Sequence, residues 1–400
     1  VAGGGAATCS PPTGTAADEA AVTRRRERTR GAAPEARPVP LADPRRATGP
    51  PSIHDPPGDD PPGRGLGGVV DPAWRAITYP EGGFTAQQFA AFVEHLIDAG
   101  SREHYADAAL YDYEYRRRRA DVTFYRELAG RRGADRILEL GAGTGRVTVP
   151  LARDGRQVVA VDRSEAMLAR FRDRIARLPS PVAARITPVA GDLRSFSVGG
   201  RFPLVIAAFN VLEHLYTRTD VAACLQRVAA HLAPGGALAF DVQLPDLQWL
   251  ARDPSRRWAR TRFTDPTTGR SMYYSTNHDY DPVSQIAMIR LYYEPAEAAA
   301  SSSTGPRARR GRRVAAGAAD PDRPTGTPGP AVAPGETRVV QLSQRKFFPA
   351  ELEALVAHAG FRVVARYGDF SFRPLDGSAD SQVLVCELVA QSAPRRPASR

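Results

Sequence analysis

The sequence predicts an α/β fold: a largely parallel sheet with helices on both faces, plus a smaller antiparallel β insertion. Three observations carry that prediction. Arg136 through Leu140 is an apolar run interrupted by one acid, Glu139; glycines follow at 141, 143 and 145, then a second apolar-rich segment, Val147 to Ala152. From there, apolar runs suited to strands alternate with segments of helical period. Past Trp258 the rhythm becomes that of strands joined by short turns, and one helix with two strands closes the chain.

The first of these segments reads as strand, tight glycine turn, helix. Glycine permits positive φ and brings the main chain close to a ligand. The helix that follows leaves its first amide donors pointing at that ligand. Asp162 stands nineteen residues after Gly143, at the end of the apolar run Val158-Val159-Ala160-Val161. An α/β nucleotide-type site keeps a carboxylate there for ribose hydroxyls.

Before that strand, residues 1–70 are rich in Gly, Ala, Pro and Arg without any period, which predicts a disordered tract. The first structured signal is the capping-box pattern Thr85-Ala86-Gln87-Gln88, with Phe89, Phe92, Val93, Leu96 and Ile97 at helical spacing and Gly100 as the stop. A second helix, continuous or broken, spans Glu103 to Ala129 and is rich in tyrosine and arginine. The parallel strands fall at 136–140, 157–162, 185–190, 203–209 and 236–242. One intervening helix starts near Ser164 and buries Met167, Leu168, Phe171, Ile175 and Leu178. Another starts at Thr217 to Asp220, carries Val221, Leu225, Val228 and Leu232, and stops at Pro234-Gly235-Gly236. Antiparallel strands are expected at 258–264, 271–280 and 285–293, with a fourth in Thr337 to Phe347. The tract between them, 295–337, reads as a disordered insertion, which costs little extra loop entropy. Phe348-Pro349 opens a helix, and strands at 361–367 and 382–389 end the order. The domain plan is therefore a core over 71–250, an insertion over 251–347, a closing segment over 348–390, and short tracts at 1–70 and 391–400.

Charge is concentrated outside the periodic segments. The formal net charge is +10, almost all of it arginine; Lys346 is the single lysine. The tracts 1–70, 295–337 and 391–400 carry net +1, +2 and +3. Solvated tails are the simple reading of these runs, and nucleic-acid or acidic-membrane binding is the alternative. Three widely spaced cysteines, Cys9, Cys224 and Cys386, form no CxxC, so neither a disulfide framework nor a metal site is visible, in keeping with a reducing cytoplasm. No run reaches the ~20 apolar residues a membrane span needs. The N-terminus lacks an apolar signal core, which predicts no secretion.

The glycine spacing separates two ligand classes. It is G-x-G-x-G, with Arg146 where the dinucleotide pattern G-x-G-x-x-G places its third glycine. Glu139-Leu140-Gly141-Ala142-Gly143-Thr144-Gly145 with the downstream acid resembles the first motif of class I S-adenosylmethionine-dependent methyltransferases. The closing helix and strand pair is similar to the hairpin that ends their Rossmann-like seven-stranded sheet, whose last strand is inserted antiparallel. The resemblance covers about 103–250 and 345–390, and includes a similarity to sugar and natural-product N-methyltransferases. It implies a small-molecule acceptor and S-adenosylmethionine as cofactor.

It also implies roles. Glu139 and the loop Gly141, Ala142, Gly143 and Gly145 would hold the methionine end, Asp162 the ribose, and Arg163 the adenine flank. Gly191, Asp192 and Leu193 follow the third strand, where the family accepts from the adenine amino group; Asn210 completes the cofactor set. His214, in Phe209-Asn210-Val211-Leu212-Glu213-His214-Leu215, falls beside the reactive methyl and suits a general base; the alternative is that it packs over the cofactor or caps a helix. Glu213 is the other candidate base. Tyr111 and Tyr115, one turn apart, fit either a lid over the cofactor or core packing. Tyr273, Tyr280 and Tyr292 fit either an acceptor platform or cross-strand packing. Rival functions are a dinucleotide oxidoreductase, disfavoured by Arg146 and the closing hairpin; a nucleic-acid methyltransferase, which lacks an Asn/Asp-Pro-Pro-aromatic motif here; and a protein that binds the cofactor without turnover.

Overall fold

The computed structural model describes residues 94–296 and 336–389, all within the compact unit 47–400. The tracts 1–70 and 391–400, the capping box at Thr85 and most of 295–337 lie outside the described residues. Two sheets organise the rest. The larger has seven strands: β1 (Arg136–Leu140), β2 (Gln157–Asp162), β3 (Ile186–Ala190), β4 (Phe202–Ala207), β5 (Leu232–Gln243), β10 (Phe361–Tyr367) and β11 (Ser381–Leu388). Their spatial order is β10-β11-β5-β4-β1-β2-β3. β1 through β5 pair in parallel, with Leu138 opposite Val159 and Val205. β11 lies antiparallel between β5 and β10. The expected seven-stranded sheet with its inserted last strand is present.

Side-chain alternation builds two cores from one sheet. Leu138, Leu140, Val205 and Ala207 pack on one face with Val228, Leu352 and Val356. Ile137, Leu204 and Ile206 pack on the other with Phe124, Tyr125 and Leu128. The chain leaves β1 toward β2 and β3, then returns to the far side of β1 as β4. This reversal opens a crevice at the carboxyl ends of β1 and β4, where ligands of open α/β sheets bind.

Several bounds differ from expectation for local reasons. The helix expected over Glu103 to Ala129 is three: α1 (Glu103–Ala106), α2 (Ala108–Tyr115) and α3 (Ala120–Arg131). Asp107 leaves helical geometry and its side chain accepts from the Leu110 amide, capping α2. The chain leaves helical geometry again over the four arginines 116–119, between α2 and α3. β5 begins at Leu232, not at 236: it runs through Pro234-Gly235-Gly236 as an irregularity in its pairing with β4, with Gly235 at φ +72°. Between β4 and β5, α7 (Arg218–His231) opens with a capping box of Thr217 and Asp220.

The smaller sheet is wholly antiparallel, in the order β6 (Trp258–Thr264), β7 (Ser271–Asp281), β8 (Ile286–Pro295), β9 (Arg338–Arg345). One face buries Tyr274, Ile289, Leu291, Tyr293 and Leu342 against Leu110 and Tyr113 of α2. The Asp107 carboxylate meets Arg338 at 2.9 Å and Glu114 accepts from the Tyr293 hydroxyl at 2.7 Å, which bonds α2 to this sheet, while Asp112 of α2 accepts from Thr144 in the turn after β1. Cys224 and Cys386 are buried free thiols. Among the described residues no helix is long and apolar enough to cross a membrane.

Candidate active site

The crevice is a cavity of about 880 Å³. Its floor is the turn after β1. Gly141, Gly143 and Gly145 all have positive φ, at +66°, +55° and +81°. A Cβ on Gly141 would stand 2.4 Å from Val211 Cγ2, and one on Gly145 would stand 2.0 Å from Phe171 Cε2. Around Gly143 there is open space, and that space is the cavity. Gly141 and Gly145 thus let the loop pack, while Gly143 lets a ligand approach the main chain.

Two carboxylates face this floor. Asp162 accepts from the Gly143 amide at 2.7 Å through one oxygen and from the Ser164 amide at 2.8 Å through the other. Burial raises its pKa, against the pull of those amides. Glu139 is 2% exposed and accepts from the Thr148 hydroxyl. Burial pushes its carboxyl up to about 7.

The wall opposite comes from α1, α2 and the exit of β4. His214 ends a single 3-10 turn, Val211–His214. Its Nε2 is 2.6 Å from the Tyr105 hydroxyl and its Nδ1 is 3.2 Å from that of Tyr216. Tyr216 in turn donates to the Ser343 carbonyl. That last bond commits the Tyr216 proton, so Nδ1 is the donating nitrogen and Nε2 accepts from Tyr105. Burial, with the positive charges of Arg163, His104 and Lys346, holds His214 down at about 3, so the imidazole is neutral near pH 7. The Tyr111 ring lies 5.8 Å from that of Tyr105.

The entry to this turn is strained. Phe209 and Asn210 both have positive φ, +71° and +59°. The Asp241 carboxylate on β5 accepts from both their amides and, at 2.6 Å, from the Tyr125 hydroxyl. β4 therefore stops at Ala207, two residues short of expectation.

Of the residues singled out by sequence, Tyr111, Glu139, Gly141, Ala142 and Gly143 line the cavity. So do Asp162, Arg163, Asp192, Leu193 and His214. Arg163 points at Ser101, donating to its hydroxyl at 2.6 Å and its carbonyl at 2.8 Å. Asp192 is paired with Arg194, which holds its carboxyl below the usual range.

Others do not line it. Tyr115 is buried against His104 and Phe209, so the tyrosine pair divides: Tyr111 faces the cavity and Tyr115 packs. Gly145 packs on Phe171, and Gly191 on Val161. Asn210 is not among the lining residues; its backbone amide donates to Asp241. None of Tyr273, Tyr280 and Tyr292 borders the cavity. Tyr273 lies under Arg260, Tyr280 joins the core between the sheet and α2, and Tyr292 is 2% exposed beneath Arg257.

Sequence reasoning does not reach Tyr216 or Asp241. The signal for Asp241 is an acid inside the otherwise apolar run Leu238 to Val242. It likewise treats Arg146 only as a missing glycine. In the structure Arg146 lines the cavity, forms a two-bond pair with Asp121, and has its guanidinium 4.8 Å from the centre of the Phe209 ring.

Residues 137–236 match the family profile of a methyltransferase domain. The cypemycin N-terminal methyltransferase of a Streptomyces species is 35% identical over 124 residues, 31% of this chain and 46% of that protein. The dTDP-3-amino-3,6-dideoxy-alpha-D-glucopyranose N,N-dimethyltransferase of Streptomyces fradiae is 32% identical over 152 residues, 36% of this chain and 56% of that protein. The chain thus spans about half the length of the curated relatives it matches. Among solved structures, the CcbJ methyltransferase of Streptomyces caelestis shares the fold at a TM-score of 0.51 and 24% identity, over 68% of this chain and 90% of that one.

Proposed function

We propose that this chain, which carries a methyltransferase domain over residues 137–236, transfers a methyl group from S-adenosylmethionine to a nitrogen or oxygen of a small-molecule acceptor. One observation carries the reading most directly. The open space at Gly143 is flanked by two buried-side carboxylates, Glu139 and Asp162, at the carboxyl ends of adjacent parallel strands. That pair of acceptors fits a ligand with an ammonium at one end and a ribose diol further along. Glu139 would accept from the ammonium. Asp162 would take the diol with the lone pairs its two amides leave free. Asp192 and Leu193 would border the base.

When bound, S-adenosylmethionine supplies a methyl group already activated on a sulfonium. The protein's part is then alignment and exclusion of water. Tyr105 and Tyr111 present aromatic surface to the cavity, which favours a cation. His214 reads as the partner of Tyr105 more than as a base standing alone. It accepts a hydrogen bond from Tyr105 and leaves the phenolic oxygen's lone pairs toward the cavity, where they can accept a hydrogen bond from the N–H or O–H of the methyl acceptor and orient it. The two curated relatives are, by name, an N-terminal methyltransferase and an N,N-dimethyltransferase of an amino sugar nucleotide, so amines are the first acceptors to test.

Titration calorimetry of the purified chain tests the cofactor. Heat with S-adenosylhomocysteine and none with NAD is expected; the reverse pattern would end this reading. Labelled S-adenosylmethionine with metabolite extracts would then find the acceptor, and amine products are expected first.

A further inference from the structure

The chain holds 54 lysines and arginines, and Lys346 is its single lysine. That residue is 1% exposed and sits one position past β9. Its Nζ donates to three oxygens: Glu213 Oε2 at 2.8 Å, Gln243 Oε1 at 2.8 Å and Gln344 Oε1 at 2.9 Å. An ammonium has three donors and no acceptor, so all three are used. Arginine carries its donors in one plane on a longer group and cannot reproduce this compact arrangement. In a chain whose other basic residues are all arginine, the exception falls where geometry excludes arginine.

Glu213 is the next link. It is fully buried, its second oxygen accepts from the Gln243 amide at 2.8 Å, and it immediately precedes His214. The pair therefore joins the end of the antiparallel sheet, the end of β5 and the turn that carries His214. β9 holds that turn a second way, because Tyr216, which touches His214 Nδ1, donates to the carbonyl of Ser343. A buried ion pair adds little net stability compared with apolar residues of similar volume; its best-attested use is to fix one geometry.

We propose that Lys346 is a positioning residue: acting through Glu213, it holds His214 between Tyr105 and Tyr216 in the tautomer that accepts from Tyr105. The proposal rests on the reading of the site given above only in that His214 belongs to it. It makes the antiparallel sheet part of the site, since a shift of β9 moves both supports of the histidine. The charged and titratable groups around His214 are Tyr105, Tyr216, Arg163, His104, Glu213 and Lys346.

The test uses the full chain with isotope-labelled histidine, the His214 signals among seven histidines being identified with His214→Gln. In the native protein His214 is expected to show one neutral, Nδ1-protonated form from about pH 5 to 8, with no titration in that interval. Lys346→Arg is expected to lose this signature, through a mixture of tautomers or a titration within the interval. Should Lys346→Arg fail to fold, the double variant Glu213→Gln/Lys346→Met, which leaves no buried charge, carries the test. It is expected to recover the melting temperature lost in Lys346→Met without recovering the His214 signature. A native His214 spectrum in either folded variant overturns the proposal and leaves Lys346 a brace. S-adenosylhomocysteine calorimetry on the native chain is a separate arm. Its failure would sink the cofactor reading and leave the His214 spectra to decide on Lys346.

Discussion

Glu139 is where the ligand's charge meets the protein's burial. Its carboxyl, pushed up to about 7 by burial, is mostly protonated at pH 6 in the free protein. A ligand ammonium needs the carboxylate, so binding at that pH must expel a proton. Calorimetry of S-adenosylhomocysteine at pH 6 in buffers of different ionisation heat is expected to show proton release, fading above about pH 8. Glu139→Gln should remove the buffer dependence, and heats at pH 6 that ignore the buffer would count against Glu139 as the ammonium's partner. Asp162→Ala should weaken the same ligand by roughly 1–3 kcal/mol, the cost of unpaired hydroxyl partners. Unchanged affinity would place the ribose elsewhere. Both acids are legible in the sequence, each standing at or next to the end of an apolar strand beside a glycine turn or a helix start. Tyr115 and Asn210 are not, because which way a residue faces depends on neighbours distant in the chain. For Tyr115 these are His104 and Phe209; the backbone at Asn210 is held by the carboxylate of Asp241.

At the scale of the element, the turn from Phe209 to His214 decides the site's shape. Two consecutive non-glycine residues with positive φ cost of order 1–3 kcal/mol each and persist only where the surroundings over-determine them. Asp241 does so at the start of the turn, and Glu213 with Lys346 at its end. Asp241→Asn replaces an acceptor oxygen with a donor aimed at groups that already donate. It should cost about 2–3 kcal/mol of stability in urea unfolding, from buried amides left unpaired. A variant as stable as the native chain would mean that the carboxylate does not hold the turn. The sequence reads this segment as two more residues of β4, because its composition is apolar and the acid that bends it lies about thirty residues on. For the same reason the helix breaks at Asp107 and at the arginine run are harder to see than the helices themselves. Strand and helix existence follows from period, which is local; where each stops depends on caps and partners brought in by the fold.

Across the whole molecule, the strands and helices of the large sheet follow from period and the antiparallel placing of its last strand from the resemblance, while the second sheet does not reveal which of its faces meets α2. Its tyrosines look alike in sequence whether they face an acceptor or a core. The packed interior that results also encloses titratable groups of opposite tendency, and their balance sets a pH profile. Burial raises Glu114 and Glu139 to about 7 and Asp241 to about 6, from ordinary values of 4.5, 4.5 and 3.8. Burial lowers His104, His214 and His278 to about 4, 3 and 4, from 6.5. The sign differs for the two sets. As pH falls from about 8 toward 6, the folded state takes up protons on the two glutamates before the unfolded chain does, so stability rises. Below about 6.5 the unfolded chain protonates its histidines while the folded state does not, which removes stability and offsets the continuing gain from the carboxyls. Melting temperature is therefore expected to climb from pH 8 to about 6.5 and then level off to about 4.5. Scanning calorimetry across that range checks it, and Glu114→Gln/Glu139→Gln should flatten the alkaline limb while leaving the plateau. A melting temperature that instead climbs steadily toward pH 8 would mean these carboxyls are ionised in the folded chain. Glu139 would then bind its ligand without shedding a proton, so the same measurement bears on the site as well as on the fold.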